Sequence, residues 1–345
     1  MEIGLFTFGE VTRSLRGDAV SPATRLREFI ALATIADQAG LDVFGVGEHH
    51  RPDFAISSPA VVLAAIAEAT TRIRLTSTVT VLSTADPVRV YEDFATLDLI
   101  SGGRAEITAG RGAYVESFPL YGFDLEDYDE LFDEKLELLL RIDENERVTW
   151  SGRHRAPLND AGIYPRATQD RIPVWIAVGG TPASVVRAGR HGLPTYFAIL
   201  GQPERFVDLA ALYRQSGRDA GFATPDLRLG VTSHFYVEET SQGARDTFYP
   251  YYSRYIGDNM PHARGQALGR DRFDAWAAPR GALFCGSPGE IVDKILWEHE
   301  LLGHTRFLAQ IGLGGLPFKE TARSIEILAT EVLPEVRRAT STAED

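Results

Sequence analysis

Residues Leu41 to His50, Leu-Asp-Val-Phe-Gly-Val-Gly-Glu-His-His, form a short apolar run that stops at one acid and two histidines. Val43, Phe44 and Val46 have the β-branched and aromatic character of a buried strand, and the glycines let another backbone or a ligand come close. An imidazole titrates near neutral pH and can carry a proton. Titratable groups at the end of a buried parallel strand stand where α/β folds place their chemistry. Side chains alternate along a strand, so Glu48 and His50 are expected on one face and His49 on the other. Glu and His also ligate zinc or iron, but no His-x-His, His-Glu-x-x-His or cysteine pattern completes a metal site.

Three further groups of residues could hold a ligand. Gly110-Arg111-Gly112 follows the strand candidate Ala105 to Ala109. There an arginine between glycines can present a bidentate cation to phosphate or carboxylate, or simply make a tight turn. Val178-Gly179-Gly180-Thr181-Pro182 joins a strand to a helix start. Such a segment exposes backbone N–H groups that suit phosphate, or is an ordinary capped helix. Neither a P-loop nor a Gly-x-Gly-x-x-Gly fingerprint is present, so a mononucleotide-sized ligand fits better than ATP or NAD. Thr76 to Leu82 interrupts a buried strand with hydroxyls, which need hydrogen-bond partners, although threonine is also a good strand former.

The elements that must position these residues alternate along the chain. Strands are expected at Ile3–Phe8, Val43–Val46, Leu75–Leu82, Ala105–Ala109, Val174–Val178, Leu193–Ile199, Leu229–Val237 and Thr305–Gln310. Helices are expected at Pro22–Gln38 with Ser21 as cap, Pro59–Ala69 after Ser58, Pro87–Ile100 after Asp86, and Tyr128–Ile142. Strands alternating with helices indicate a (β/α)8 barrel or a doubly wound sheet, and spacing alone does not separate them. Ala113–Asp127, Asn145–Ile172 and Thr247–Leu283 are too long for simple loops. The second reads as a short strand pair at Val148–Gly152 followed by an irregular segment, and the third as a lid or substrate loop. No repeat or linker divides the 345 residues, so one domain spanning 1–345 is expected.

Composition narrows the partners. At 44% hydrophobic residues the chain can build a sizeable core, and a net charge of −13 disfavours nucleic acid and anionic lipid. Cys285 is the only cysteine, which excludes an intrachain disulfide and a cysteine zinc site. The N-terminus has no signal-peptide pattern and no apolar run reaches bilayer length, so a cytoplasmic protein without membrane contact is expected. Cys285 is given no role, and His191, His234, His262, His299 and His304 are read as structural.

Taken together, Gly47-Glu48-His49-His50 with Phe54, Val81-Leu82-Ser83-Thr84-Ala85-Asp86-Pro87-Val88-Arg89, Glu92-Asp93, Leu97-Asp98, Ser101-Gly102-Gly103-Arg104 and Gly110-Arg111-Gly112 resemble the bacterial luciferase-like flavin monooxygenases. The similarity runs over nearly the whole chain, with Thr247–Leu283 the least matched. The resemblance implies a (β/α)8 TIM barrel with insertions at its C-terminal face, usually dimeric, that binds FMN there. Carried over by position, Glu48, Thr78 and Val79 would line the isoalloxazine, with the Thr78–Val79 peptide cis. Arg111 would hold the phosphate, helped by Gly179, Gly180 and Thr181. His49 matches the family's catalytic histidine. Where luciferase has an acid and a serine at the phosphate, this chain has Gly179 and Gly180, so backbone amides would carry that contact.

The function so implied is a two-component monooxygenase. A flavin reductase would supply reduced FMN, dioxygen would be the oxidant, and His49 would be the general base. The substrate would be a small hydrophobic aldehyde, ketone or aromatic, walled by Tyr114, Phe118, Tyr121, Phe123, Tyr251, Tyr252 and Tyr255. Light emission is not implied. The rival functions are a deazaflavin-dependent hydride-transfer enzyme of the same fold, a metal-dependent hydrolase, and a flavin-binding protein without turnover.

Overall fold

The computed structural model describes all residues except 13, 14, 16, 19, 113, 260–264 and 342–345, so His262 lies outside the described residues. Eight parallel strands form the centre: β1 (Glu2–Thr7), β2 (Val43–Val46), β3 (Arg74–Ser77), β4 (Ala105–Gly110), β5 (Val174–Val178), β6 (Thr195–Ala198), β7 (Leu229–Val237) and β8 (Arg306–Gln310). Each pairs with the next, and β8 pairs with β1 in the register Gly4↔Leu308, which closes a barrel inside surrounding helices. A doubly wound sheet is thereby excluded.

The helices Pro22–Gln38, Pro59–Ala69 and Pro87–Ser101 all begin on a proline, whose fixed φ suits the first turn. Ser21 and Asp86 accept first-turn amides as expected, whereas the Ser58 side chain makes no capping bond. Asp37, at the end of the first of these helices, accepts the amides of Thr71, Arg72 and Ile73 at 3.0, 2.9 and 2.7 Å. It thereby fixes the turn that leads into β3.

Two expectations need correction. Leu75–Leu82 is not one strand: β3 ends at Ser77, the Thr78–Val79 peptide is cis, and Thr80–Val81 pairs again with β4. Thr247–Leu283, expected as a lid or substrate loop, is largely helical, with helices Ser241–Asn259 and Arg270–Ala277 occupying much of it. Phe248, Tyr252, Tyr255 and Ile256 recur at helical spacing and pack with Tyr236, Phe273 and Cys285 into an apolar cluster of their own. Asn145–Ile172 holds a strand pair, Arg147–Trp150 with Leu158–Gly162, whose second strand lies where an irregular segment is expected. Ala113–Asp127 holds a short helix, Ser117–Tyr121, and the turn Leu125–Asp127.

Strand alternation divides the barrel. Ile176, Val178, Phe197, Val231, Phe307 and Ala309 face the helices in the main core, while Phe6, Val43, Trp175, Tyr196 and Leu308 fill the interior. The N-terminal floor is ionic. Arg306, 1% exposed, bonds Glu106 at 2.6 and 3.2 Å, Glu2 at 2.6 Å and the Tyr196 hydroxyl at 2.8 Å. Arg74 adds a 2.5 Å bond to Glu106, and Trp175 lies 4.4 Å beneath the Arg306 guanidinium carbon. Burial alone would raise the Glu106 carboxyl, but the Arg306 and Arg74 guanidiniums outweigh it and hold it below the ordinary carboxylate value. Removing one member of such a buried pair strands the other charge. Glu106→Gln is therefore expected to cost about 3–5 kcal/mol in urea unfolding near neutral pH. Because the native pKa is depressed, this contribution is complete above the unfolded value of about 4.3. It is lost as pH falls through the native value. An unchanged midpoint across that range would contradict the assignment.

Candidate functional site

The C-terminal ends of β1, β2 and β3 bring the first cluster together. Glu48 and His50 share a face, as alternation requires, and His50 Nε2 donates to Glu48 Oε1 at 2.8 Å. The second carboxylate oxygen accepts the Val81 amide at 2.9 Å, which ties the end of β2 to the segment beyond the cis peptide. His49 turns the other way and is 7% exposed. Its ring lies against Phe54, Phe8 and Tyr114 at centroid distances of 4.3, 4.7 and 4.8 Å. Nδ1 meets Glu116 Oε1 at 3.1 Å. Burial pushes the His49 pKa below its ordinary value, against the opposing pull of Glu116.

Glycines surround the cis peptide because nothing larger fits. A Cβ on Gly45 would come within 2.6 Å of the Thr78 side chain, and one on Gly110 within 2.6 Å of Val79. At Gly47 it would reach 2.1 Å from the Phe8 ring. Around the mouth, the inward positions after the filled layer are small: Ala177 follows Trp175, Ala198 follows Tyr196, and Thr232 follows Gly230. All three stay partly exposed, as do Phe8, Glu48 and Val79. The barrel is thus plugged below and open above. Thr78 Oγ1, Thr80 Oγ1 and Gln310 Nε2 are buried there without a hydrogen-bond partner. Unpaired buried donors and acceptors of this kind are uncommon.

A second cluster lies where β4 and β5, neighbours in the barrel, both end. Arg111 bonds Asp129 at 2.5 Å and lies 4.8 Å over the Tyr128 ring, whose hydroxyl donates to Gly112 O at 2.8 Å. Gly179, Gly180 and Thr181 are exposed, Gly180 has φ 119°, and a Cβ at either glycine would meet nothing within 4 Å. Thr181 stands at the cap position of helix Pro182–Arg190, yet its side chain makes no capping bond. Arg187 of that helix pairs with Asp133 and lies 3.7 Å from Asp129. Asp129 therefore sits between two arginines. The fold brings Arg111 and the 179–181 turn to adjacent strand ends, and Glu48, His49, Thr78 and Val79 to the end of β2 and the break after β3.

Several expected pocket walls serve other ends. Phe118 is fully buried and stacks on Tyr128 at 5.5 Å, while Phe123 lies 3.9 Å beneath the Lys135 ammonium. Tyr252 is buried and bonded to His234 Nδ1 at 2.8 Å, and burial drives the His234 pKa down to about 3. Tyr121 is half exposed with its ring 5.3 Å from His50, and the Tyr114 ring lies 4.8 Å from that of His49. A cavity of about 390 Å³ is lined in part by Arg51, Asp53 and Asn259, beside this region. Sequence reasoning missed Glu116, Asp129 and Arg187. Glu116 lies 67 residues from His49, and no local pattern links the two. At the surface, Asp127, Glu130 and His154 gather within 4.8 Å, but Arg153 already pairs with both carboxylates.

Comparison with known proteins gives matches to both flavin-dependent monooxygenases and F420-dependent enzymes. The family model described as luciferase-like monooxygenase matches residues 1–305. The oxygenase component of a flavin-dependent trigonelline monooxygenase from Acinetobacter baylyi is 23% identical, covering 89% of each chain. An F420-dependent glucose-6-phosphate dehydrogenase from Amycolatopsis mediterranei is 30% identical over 48% of this chain and 51% of its own. Among solved structures, monooxygenase RslO1 from Streptomyces bottropensis superposes with a TM-score of 0.84 at 25% identity, covering 97% of this chain and 99% of its own.

Proposed function

The chain belongs to the luciferase-like monooxygenase family, and we propose that it is the oxygenase of a two-component system. A separate flavin reductase delivers reduced FMN, and dioxygen oxidises a small hydrophobic aldehyde, ketone or aromatic substrate. The observation that carries this reading is the open barrel mouth between two chemically different ends. One end is cationic and rich in amides, at Arg111 and Gly179–Gly180–Thr181. The other is the aromatic enclosure of His49.

The residues present fit the cofactor. A phosphate suits Arg111 and the exposed backbone amides of Gly179, Gly180 and Thr181 just before the helix start. The ring suits the layer of small inward residues, walled by Glu48, Thr78 and Val79, where the unpartnered Thr78 Oγ1 can bond its polar edge. When bound, reduced FMN supplies the two electrons that oxygen activation requires. The chain's own residues hold the ring, keep water away and move a proton. Phe8, Phe54 and Tyr114 exclude water around His49, which transfers the proton through its imidazole. The same rings make an apolar substrate the fitting one.

The oxygenase is further proposed to be a single domain over 1–345, to work in the cytoplasm and to pair as a homodimer. Val61, Leu99 and Ile100, on the neighbouring helices Pro59–Ala69 and Pro87–Ser101, are 70, 49 and 44% exposed. Burying them against a second copy removes that apolar surface from water. The F420-dependent relative supports a second reading, hydride transfer with a deazaflavin. The open 179–181 turn would accept that cofactor's tail as well.

Titration of the purified protein with FMN, reduced FMN and deazaflavin separates the two readings. Preference for reduced FMN, followed by oxygen-dependent product formation, supports the monooxygenase. Preference for deazaflavin overturns it. Arg111→Ala is expected to weaken FMN binding about 10- to 100-fold, the value of a charge-assisted hydrogen bond. Unchanged affinity would remove Arg111 from the phosphate site. His49→Ala is expected to bind FMN nearly normally while turnover falls about 10²- to 10⁴-fold. Unimpaired turnover would remove His49 from proton transfer.

A further inference from the structure

The proton on a histidine goes where its hydrogen bonds put it. Burial alone would raise the Glu116 carboxyl, but its own backbone amide, His49 and the His50 amide hold it below the ordinary carboxylate value. Glu116 is therefore ionised at neutral pH and can only accept a hydrogen bond. Its Oε1 lies 3.1 Å from His49 Nδ1. In a neutral ring the shared proton must then sit on Nδ1, which leaves the lone pair on Nε2.

The other groups around the ring do not contest this. Arg51 and Asp53 are paired with each other through contacts of 3.0 and 2.5 Å. The Tyr114 hydroxyl donates to Asn259 O at 3.2 Å, and burial raises its pKa, so it stays neutral. Phe8 and Phe54 are uncharged. Glu116 is thus the uncompensated charge among the described groups facing the ring.

From this juxtaposition we infer that Glu116 is the positioning residue for His49: its carboxylate anchors the proton on Nδ1 and makes Nε2 the basic nitrogen. A proton accepted at Nε2 makes the ring cationic while Nδ1–H stays bonded to Glu116, and its release restores the starting state. Glu116 stabilises that cation in a site where burial opposes charge. The catalytic meaning of this arrangement rests on the reading of His49 as the proton-transferring group. The arrangement itself is independent of that reading.

The test is a long-range ¹H–¹⁵N NMR titration of the histidines in the full chain. The His49 signal is assigned by its loss in His49→Gln. In the unmodified protein, the neutral ring is expected to carry its proton on Nδ1. The isosteric Glu116→Gln is expected to keep that tautomer, because its amide oxygen still accepts the bond, while the His49 midpoint falls by about one pH unit or more. Glu116→Leu is expected to lose the tautomer preference, and Glu116→Asp to recover most of the midpoint. A proton on Nε2 in the unmodified protein, or an unchanged midpoint in Glu116→Gln, would overturn the inference. A purely structural role for Glu116 would change unfolding and leave His49 titration alone. If the titrations follow expectation while His49→Ala turns over normally, the positioning stands and the catalytic reading of His49 fails.

Discussion

The ionic floor is the constraint on which the rest of the barrel depends. Arg306, Glu106, Arg74 and Glu2 project from four different strands into a closed interior where an unpaired charge would be costly. Their pairing fixes how β1, β3, β4 and β8 stand against one another at the N-terminal end. Trp175 and Tyr196, stacked at 4.5 Å, close the gap between them. With the floor filled by large side chains, the interior residues at the other end need not contribute to packing. They are free to be alanine, glycine and threonine.

The mouth is organised by a few links between strand ends. Glu48 spends both carboxylate oxygens on His50 and the Val81 amide, so it acts as a brace between β2 and the segment after the cis peptide. Gly45, Gly47 and Gly110 let that segment lie close to its neighbours. His49, on the opposite face, is left to the aromatic rings and Glu116. Two adjacent histidines therefore differ in role: His50 holds the local fold, and His49 faces a hydrophobic enclosure. At the second cluster, Asp129 tempers the two arginines near the open helix start. It keeps that region from carrying excess positive charge without a ligand.

Much of this was legible because it is local. Strands and helices announce themselves within a few residues through alternation, prolines at helix starts and glycines at their ends. Pro22–Gln38 and Pro59–Ala69 have the expected bounds. Arg111 between glycines and the Gly179-Gly180-Thr181-Pro182 turn could be singled out for the same reason. The floor was not legible. Arg306 and Glu106 are 200 residues apart and each looks like an ordinary surface charge near a strand start. Glu116 was hidden in the same way, in a stretch where aromatics drew attention as pocket walls. Phe118 and Phe123 turned out to pack, while the residue that meets His49 is the acid two positions before Phe118. The misread Thr247–Leu283 segment shows the reverse problem: its aromatics have helical spacing, but its glycines and prolines resemble loop composition.

The period-two alternation of β5, β6 and β7 has a consequence for how such a protein can change. Ile176, Phe197 and Val231 face the helices in the main core, whereas Ala177, Ala198 and Thr232, one residue further along, look into the mouth. Neighbouring codons thus answer to different selection, one set to folding and the next to whatever occupies the barrel. A lineage can drift or be steered at the second set with its scaffold intact. For anyone building new catalysts on this chain, those three positions are where diversity is tolerated and where it is felt.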